Sequence, residues 1–551
     1  MYVVFRAFAP ARLIQEESVL SNQKQSFMKG AMTLTAATFV VKFINIFFSV
    51  PLANFLGDEG MGHFYTAYDI FIFFNLLATT GTPVAVSRMV SMAYANGRKR
   101  QADKIFNVAL ALFACIGVVG STVMIVFAKQ FSVLFTQEDR TWPAICALAP
   151  MLFFMCLTSC VRGYFQGRSN MVPTAVSQVL ESLIKLAIGT VLAFWLFEAT
   201  ARPELGATGA IVGVSVGSLA AMVYILLRYA RDKKKMDYDP AEQPVSGAKS
   251  ILKDIATFAV PVMLGSVFLN ALDLVDAAVM MHRLQNAAGF AYEEAMAMKG
   301  WLGNARKYFD LPNAIIVPIS TTVLPLLSGA VARKDADSKH EISTLTIRLT
   351  LLFAFPCAVG LLIFASPICD LLLFNQPVYA QNTAPLLAVM APAVVSASLL
   401  YITNSMIHAV GEVYKPILNM AIGTVVRIII VYVLCGMPQV AAMGSAIATL
   451  VSYYIIIVLN MHTLHKLLPE APGVLKMALR PLLASVLMAV VSLPVYVLLT
   501  LWVSPKIAVL PAIVVAVIAY GVAAILTRAV TKDEILHLPG GAKLARLLRM
   551  K

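Results

Sequence analysis

Long apolar stretches separated by short polar segments dominate the chain between Ala31 and Thr527. Most of these stretches run for about 20 residues, the length at which a helix crosses a hydrocarbon core of about 30 Å. The pattern predicts an all-α membrane protein of about fourteen transmembrane helices. Their predicted ranges are 30–56, 62–91, 105–128, 142–165, 171–196, 206–227, 255–281, 308–331, 345–367, 384–407, 416–436, 440–461, 474–500 and 507–528.

Composition agrees with this class, because 59% of the residues are hydrophobic and only 13% are charged. Soluble domains contain about 45–50% apolar and about 25% charged residues. Proline inside the apolar stretches, as at Pro51, Pro83 and Pro318, does not argue against helices, since membrane helices tolerate it. Residues 1–29 lack the continuous apolar core of a signal peptide, and we interpret them as a short cytoplasmic tail.

The distribution of positive charge predicts the orientation. With the N-terminus inside, 29 of the 43 Lys and Arg residues face the cytoplasm and 8 face outward. By the positive-inside rule, both termini are then cytoplasmic in a multi-pass protein of the bacterial cytoplasmic membrane. The net charge of +14 is therefore interpreted as an orientation signal facing anionic membrane lipids, and it does not require a nucleic-acid partner.

The two halves of the chain resemble each other at several positions. The matched pairs are Thr38 and Thr257 (offset 219), Pro83 and Pro318 (235), Arg98 and Arg333 (235), Pro150 and Pro392 (242), Lys185 and Arg427 (242), and Gly209 and Gly444 (235). We attribute the change of offset between 219 and 235 to a longer outside loop at 282–307. Parallel repeats of this kind predict two six-helix bundles in a pseudo-twofold arrangement, with a cavity between them and two further C-terminal helices.

This repeat divides the chain into six predicted parts. They are a cytoplasmic tail (1–29), an N-terminal six-helix bundle (30–228), a basic cytoplasmic linker (229–254), a C-terminal six-helix bundle (255–462), transmembrane helices 13 and 14 (474–528), and a basic cytoplasmic tail (529–551). Glycines at 209, 213 and 217 lie on one helix face, and this spacing is typical of close helix packing.

Ionisable residues within the apolar stretches are the candidate functional residues, because a charge at the bilayer centre costs at least a few kcal/mol. The cations are Lys42, Arg88, Lys185 and Arg427, and the main acids are Asp69, Glu181, Asp273, Asp276 and Asp310. Glu181 and Lys185, four residues apart, either neutralise each other or serve a site. Arg88 either contacts the substrate or extends to the cytoplasmic surface, as we expect of Arg348 and Arg480.

Two positions favour specific chemistry. Lys42 has no acid within two helical turns along the sequence, so it is the strongest candidate for facing water or an anion. Asp273 and Asp276 are three apart and suit either a cation site or a counter-charge to Arg or Lys. Neither a P-loop nor an H-E-x-x-H motif occurs, and the seven cysteines form no C-x-x-C pair. We therefore expect no enzyme, no catalytic residue, no metal site and no cofactor.

Three stretches resemble a known family. They are Leu56-Gly-Asp-Glu-Gly-Met-Gly-His-Phe-Tyr-Thr-Ala-Tyr, Thr80-Gly-Thr-Pro-Val-Ala-Val-Ser-Arg-Met-Val-Ser with Asn96-Gly-Arg-Lys, and Arg306-Lys-Tyr-Phe-Asp-Leu-Pro with Thr321-Thr-Val-Leu-Pro-Leu-Leu-Ser. Together with the repeat, they resemble the polysaccharide-export flippases of the multidrug/oligosaccharidyl-lipid/polysaccharide (MOP) superfamily. Within it, the chain is most similar to the stage V sporulation protein B group, which is related to MurJ-type lipid II flippases.

The resemblance implies a site. In MurJ-type flippases, cavity arginines meet a lipid-linked diphosphate. Carried over, Lys42 takes the place of a first-span cation, and either Arg306 or Lys307 takes that of the eighth-span cation, beside Asp310. Phe48 stands where a second first-span arginine is expected. The family also implies that residues 474–528 help to form a groove for the polyprenyl tail.

The expected function is therefore the transfer of a lipid-linked saccharide across the membrane by alternating access, with lipid II as the favoured substrate. Its partners are a polyprenyl-diphosphate-linked saccharide and membrane lipids, and we expect a monomer. The alternative is a multidrug/cation antiporter of the same fold, which needs an acidic cavity and is kept open by Asp273 and Asp276. Residue counting does not decide the sign of the cavity charge. We expect Asp69 and one of the two acids of the seventh span to pair with neighbouring residues or to face away from the cavity. Lys42 would then lie at a cationic centre. The sequence leaves the driving force open between the membrane potential and a coupling cation.

Overall fold

The computed structural model describes residues 11–234, 236 and 247–530. Every regular element within these ranges is helical, which confirms the all-α class. The first eight helices are α1 (Ala11–Thr79), α2 (Thr82–Ala95), α3 (Lys99–Val126), α4 (Ala128–Thr136), α5 (Trp142–Gly167), α6 (Val172–Ile184), α7 (Thr190–Thr200) and α8 (Pro203–Lys234). A π-helical turn, Lys185–Gly189, joins α6 to α7 without a break in the chain direction.

Eleven more helices follow. They are α9 (Ala248–Asn286), α10 (Tyr292–Phe309), α11 (Asn313–Ala332), α12 (Ala336–Ile363), α13 (Ala365–Leu372), α14 (Pro377–Met390), α15 (Ala393–Ala409), α16 (Tyr414–Leu434), α17 (Met443–Leu467), α18 (Val474–Thr500) and α19 (Pro505–Leu526). The segment at 282–307, predicted as a longer outside loop, is mostly helical, since α9 continues to Asn286 and α10 fills most of the remainder. Its position outside the membrane stays a prediction. The predicted eighth span accordingly begins at Asn313 rather than at 308.

Eleven helices of the described residues are long and apolar enough to cross a membrane, or twelve if the bent pair α14 and α15 forms one span. The segment Ala36–Ala95 counts once among them, although its 60 residues contain most of the predicted span 30–56 and all of the predicted span 62–91. Gly57 interrupts it with φ 68° and ψ −168°, a backbone conformation that only glycine adopts easily. The membrane class is thus confirmed, while the number fourteen stays a prediction.

The chain divides into two compact units. The first comprises Met1–Pro51, Ala67–Ser132 and Arg140–Asn270, and the second comprises Leu52–Thr66, Val133–Asp139 and Ala271–Lys551. This division assigns two short segments of the predicted N-terminal bundle to the second unit. The predicted boundaries at 29, 228, 254 and 462 stay predictions. Parts of the predicted tails and linker, at 1–10, 235, 237–246 and 531–551, lie outside the described residues.

Close backbone packing explains why the second unit includes residues 52–66. A β-carbon added to Gly62 would lie 2.1 Å from the carbonyl oxygen of Met296, and one added to Gly300 would lie 2.0 Å from that of Asp58. The Trp301 indole N–H also donates to the Asp58 carboxylate at 2.8 Å. These contacts fix the segment after Gly57 against α10.

Equivalent elements recur in the two units. Helices α3 and α12 begin 237 residues apart, at Lys99 and Ala336, and each is followed by a short helix. Gly209 packs against Leu192 in the first unit, and Gly444 packs against Leu434 in the second. These contacts reproduce the sequence offsets of 235 for the glycines and 242 for the residues they touch. The internal repeat is therefore visible as repeated packing inside each unit.

Candidate functional site

An ion cluster in the second unit, in which Asp276 is buried and Asp273 is about half exposed, links α9 to α16. Asp273 and Asp276 lie three residues apart on one face of α9, and both form ion pairs with the guanidinium of Arg427. The Arg427 Nη1 atom lies 3.0 Å from Asp273 Oδ1, and Nη2 lies 2.6 Å from Asp276 Oδ2. The Asp276 side chain is 1% exposed and that of Arg427 is 13% exposed. Such a pair persists in a buried position because each charge compensates the other.

Arg306 adds a second guanidinium to this cluster. Its Nη2 atom lies 3.5 Å from Asp276 Oδ2 and 3.3 Å from the hydroxyl oxygen of Ser445. The four side chains of Asp273, Asp276, Arg306 and Arg427 carry two positive and two negative charges, so the cluster is neutral. Its acids therefore act as counter-charges to arginine, which is one of the two roles that the sequence left open.

The structure changes the expected setting of the cations near residue 306. Arg306 and Lys307 belong to α10, not to the eighth span, and Lys307 is half-buried there. Asp310 follows the last residue of α10, is exposed, and accepts a hydrogen bond from the Asn313 amide at 3.3 Å. Arg306 joins the cluster through its contacts with Asp276 and Ser445. A substrate role for Arg306, Lys307 and Asp310 stays a prediction.

A second set of buried charges lies in the first unit, between α5, α6 and α8. Arg162 donates to the Ser177 hydroxyl at 3.0 Å and to Glu181 Oε2 at 3.1 Å. The Ser218 hydroxyl donates to the other oxygen of Glu181 at 3.0 Å. Both carboxylate oxygens of Glu181 are thus engaged, and the structure favours Arg162 over Lys185 as its counter-charge.

Arg162 is a buried cation that the sequence interpretation did not single out. Its side chain is buried inside α5. The available signal was its position within the predicted span 142–165. A long arginine near a span end resembles a residue that extends to the surface, and only the position of Glu181 on α6 shows that it turns inward.

Lys185 has a different environment from Glu181. Its ammonium donates to the amide oxygen of Asn45 on α1 and lies 5.2 Å from the centre of the Phe48 ring. Lys185 begins the π-helical turn, a feature that often occurs at functional sites. The turn packs tightly, because a β-carbon on Gly213 would lie 2.1 Å from the α-carbon of Gly189.

The remaining predicted residues are distributed over the surface and interior of the helices. Lys42 and Asp69 are half-buried on α1, and Arg88 is exposed on α2. Arg348 and Arg480 hold the end of α19 rather than only extending outward. Arg348 donates to the Ala529 carbonyl at 3.1 Å, and Arg480 donates to the Arg528 carbonyl at 3.3 Å.

Other chemistry receives no support from the geometry. Gly213-Val-Ser-Val-Gly217 has the G-x-S-x-G spacing of hydrolases, but Ser215 lies inside α8 and donates to the Ala147 carbonyl at 2.6 Å. A nucleophile elbow requires a strand-to-helix turn instead. Within residues 11–234, 236 and 247–530, no group of three His, Cys, Asp or Glu side chains is placed to hold a metal ion.

An apolar groove of about 690 Å³ lies in the second unit, between α12, α15, α17 and α18. Its lining includes Phe355, Leu362, Leu399, Val458, Met461 and Leu482. The groove therefore offers a hydrocarbon-like surface to which the predicted span 474–500 contributes.

Comparisons with known proteins agree with this architecture. A family model described as "Polysaccharide biosynthesis protein" matches residues 27–331. The chain is 26% identical to "Stage V sporulation protein B" of Bacillus subtilis (strain 168), over 81% of this chain and 85% of that protein. It is 20% identical to "Lipid II flippase MurJ" of the same organism, over 77% of this chain and 80% of that protein.

Solved structures show the fold. The lipid II flippase MurJ in its inward closed conformation superposes with a TM-score of 0.70 and 17% identity, over 90% of this chain and 99% of that one. An inward-facing multidrug resistance MATE family transporter of the MOP superfamily gives a TM-score of 0.63 and 14% identity, over 78% of this chain and 95% of that one. Because the family model covers more than half of the sequence, the chain belongs to the polysaccharide biosynthesis protein family of multi-pass membrane proteins.

Proposed function

We propose that this protein is a flippase that moves a lipid-linked saccharide across the bacterial cytoplasmic membrane, with lipid II as its substrate. Relatives named as lipid II flippases cover most of the chain, and this similarity supports the substrate class. Both termini then face the cytoplasm, and the protein acts as a transporter by alternating access rather than as an enzyme.

The physical task is to carry a polar headgroup through hydrocarbon. A diphosphate brings at least two negative charges, and each unshielded charge is costly in the bilayer core. Fixed cations lower this cost, because charge-assisted hydrogen bonds from ammonium or guanidinium groups replace the water around the phosphate oxygens. The protein therefore needs buried positive charge that is not consumed by its own carboxylates.

One observation carries the proposal: three acids of the apolar segments pair with arginines, whereas Lys185 donates to a neutral amide. Glu181 pairs with Arg162, and Asp273 and Asp276 pair with Arg427. A multidrug/cation antiporter requires carboxylates that can accept an incoming cation, and here guanidinium groups occupy those of α9. The geometry therefore favours an anionic substrate over a cationic one.

The apolar groove supports the lipid part of the substrate. A polyprenyl chain gains by contact with hydrocarbon-like surfaces such as Phe355, Leu399 and Leu482, while the headgroup needs the cations. We propose that the tail rests against α12 and α18 during transfer. This placement gives α18 a role in the function, as the family resemblance implies.

Rescue of a bacterial strain depleted of its lipid II flippase tests the proposal. The expected result is growth when the wild-type chain is expressed and growth arrest with an empty vector. A second assay in the same cells measures export of a cationic dye. The proposal is wrong if the chain fails to rescue at normal membrane levels and instead exports the dye in a manner that depends on Asp273.

A further inference from the structure

Lys185 and Arg427 occupy equivalent places in the two repeats, at an offset of 242. Each reaches two residues that lie three apart on a long helix of its own unit. Lys185 contacts Asn45 and Phe48 on α1. Arg427 contacts Asp273 and Asp276 on α9. Asn45 and Asp273 are 228 residues apart, and so are Phe48 and Asp276.

The interruption of α1 and the end of α9 support this equivalence. Gly57 interrupts α1, and α9 ends at Asn286, 229 residues later. Asn45 and Asp273 therefore lie almost equally far before these points. The sequence match of Thr38 with Thr257 predicted an offset of 219 for this region. The contacts correct that register by nine residues, and they show which side chains correspond.

The corresponding positions carry opposite chemistry. Both terminal nitrogens of Arg427 face carboxylates, so its charge is compensated within the second unit. At the same places, Lys185 meets an amide oxygen and an aromatic ring, which are neutral. Glu181 lies one turn before Lys185, but its two oxygens accept from Arg162 and Ser218. An ammonium has three donors, and among the described residues Lys185 donates one hydrogen bond, to Asn45.

We infer that Lys185 binds the diphosphate of the substrate and that Asn45 positions its ammonium for this contact. Arg427 is instead a structural counter-ion for α9. The identity of the ligand rests on the proposed function, while the anion site rests on the geometry of α1 and α6. Lys42 lies three residues before Asn45, on the same face of α1. This spacing puts position 42 on the face of α1 that Lys185 contacts.

The backbone around Lys185 is tightly packed, which favours a binding role. The π-helical turn Lys185–Gly189 places Gly189 against Gly213 at a distance that excludes any side chain. Gly217 packs equally closely, since a β-carbon there would lie 2.6 Å from the Glu181 carbonyl oxygen. The main chain that carries Lys185 therefore packs in direct contact with α8, and a well-packed donor loses little freedom when an anion binds.

Binding of farnesyl diphosphate to the purified full chain in detergent tests the inference, with farnesol as the uncharged comparison ligand. Lys185→Gln removes the ammonium, and Asn45→Asp supplies the carboxylate that Arg427 meets at the equivalent place. Each variant is expected to bind farnesyl diphosphate about 10- to 100-fold more weakly, the range for loss of a charged hydrogen bond. Lys185→Arg should retain most of the affinity, and Lys415→Gln, a surface variant of α16, should retain all of it.

Asn45→Asp keeps the size of the side chain and adds an ion pair, so a thermal melt should show a folded protein with reduced affinity. Affinity unchanged in both Lys185→Gln and Asn45→Asp would overturn the inference, as would wild-type protein that binds farnesyl diphosphate no better than farnesol. The rescue assay separates the two proposals. If the chain rescues growth but its binding of farnesyl diphosphate does not depend on Lys185, the proposed site is wrong and the flippase proposal stands. If binding depends on Lys185 but the chain does not rescue growth, the site is supported and the flippase proposal is wrong.

Discussion

The guanidinium of Arg427 lies 2.6 Å from the carboxylate of Asp276, although 151 residues separate them in the sequence. This contact joins α16 to α9 in the interior of the second unit. It also decides the chemical role of Asp276, because a carboxylate that holds arginine is not available to an incoming cation. The same arrangement recurs between Arg162 and Glu181 in the first unit.

Removing one member of the Arg427 pair should be strongly destabilising. We expect Arg427→Ala to lower the free energy of unfolding by about 3–5 kcal/mol, because it leaves buried Asp276 without its closest counter-charge. Thermal or denaturant unfolding of the detergent-solubilised protein measures this loss. Lys415→Ala is the control, since its pair with Glu412 is exposed and should contribute about 0–1 kcal/mol. Equal effects of the two substitutions would contradict a buried ion pair.

Lys42 provides a second prediction, which concerns transport rather than folding. Lys42→Ala should abolish transfer of the lipid-linked saccharide while leaving the protein in the membrane at normal levels. Lys42→Arg should retain more activity than Ala, because it keeps the charge although its donor geometry differs. Rescue of the flippase-depleted strain, with immunoblotting of membranes, measures both. Full rescue by Lys42→Ala would remove Lys42 from the proposed site.

Gly57 should be sensitive to any side chain. Its φ of 68° and ψ of −168° lie in a region that is nearly restricted to glycine, so Gly57→Ala should cost about 1–3 kcal/mol. The expected result is a lower melting temperature and weaker attachment of residues 58–66 to α10. Gly360→Ala is the matched control, because nothing lies within 4 Å of the added carbon. Alanine inside a helix should leave stability unchanged or increase it there.

Lys339 and Glu470 should make stability depend on acidity. The ammonium of Lys339 donates to the Glu470 carboxylate in the loop before α18, and this hydrogen bond lowers the pKa of Glu470 from its ordinary 4.5. The Glu470 carboxyl therefore binds its proton less tightly in the folded state than in the unfolded chain. The stabilisation is complete above about pH 5 and is lost as the pH falls through the lowered pKa. Melting temperatures of wild type and Glu470→Gln should therefore differ at pH 7 and converge in acid. Lys339→Met should behave like Glu470→Gln, and a difference that grows in acid would contradict the pairing.

Membrane orientation gives the last prediction. In a background without the seven native cysteines, single cysteines at positions 138 and 290 should react with an impermeant maleimide in intact cells. A cysteine at position 466 should react only after the cells are opened, because Lys466 belongs to the positively charged side. Labelling at 466 but not at 290 in intact cells would reverse the proposed topology.

The membrane class and most helices were readable from the sequence, because the length and hydropathy of an apolar stretch are local properties. The repeat was also readable at Gly209 and Gly444, where close packing permits only small residues. The correspondence between positions of α1 and positions of α9 in the repeat could not be read from the sequence. A short match such as Thr38 with Thr257 occurs easily by chance among apolar residues, and only the contacts of Lys185 and Arg427 set the offset.

Charge pairing was decided by the tertiary structure. The sequence supplied Glu181, Lys185, Asp276 and Arg427 as ionisable residues of apolar segments, and their cost in hydrocarbon marked them for attention. It did not supply the partners, because Arg162 and Glu181 belong to different helices and Arg427 meets Asp276 across 151 residues. A nearby residue on the same helix, such as Lys185 for Glu181, is a poor guide when another helix brings a guanidinium closer. The sequence thus determined which charges the membrane must accommodate, and helix packing determined which of them are neutralised. The reason is that electrostatic compensation depends on distances of a few ångströms, which only the folded chain creates.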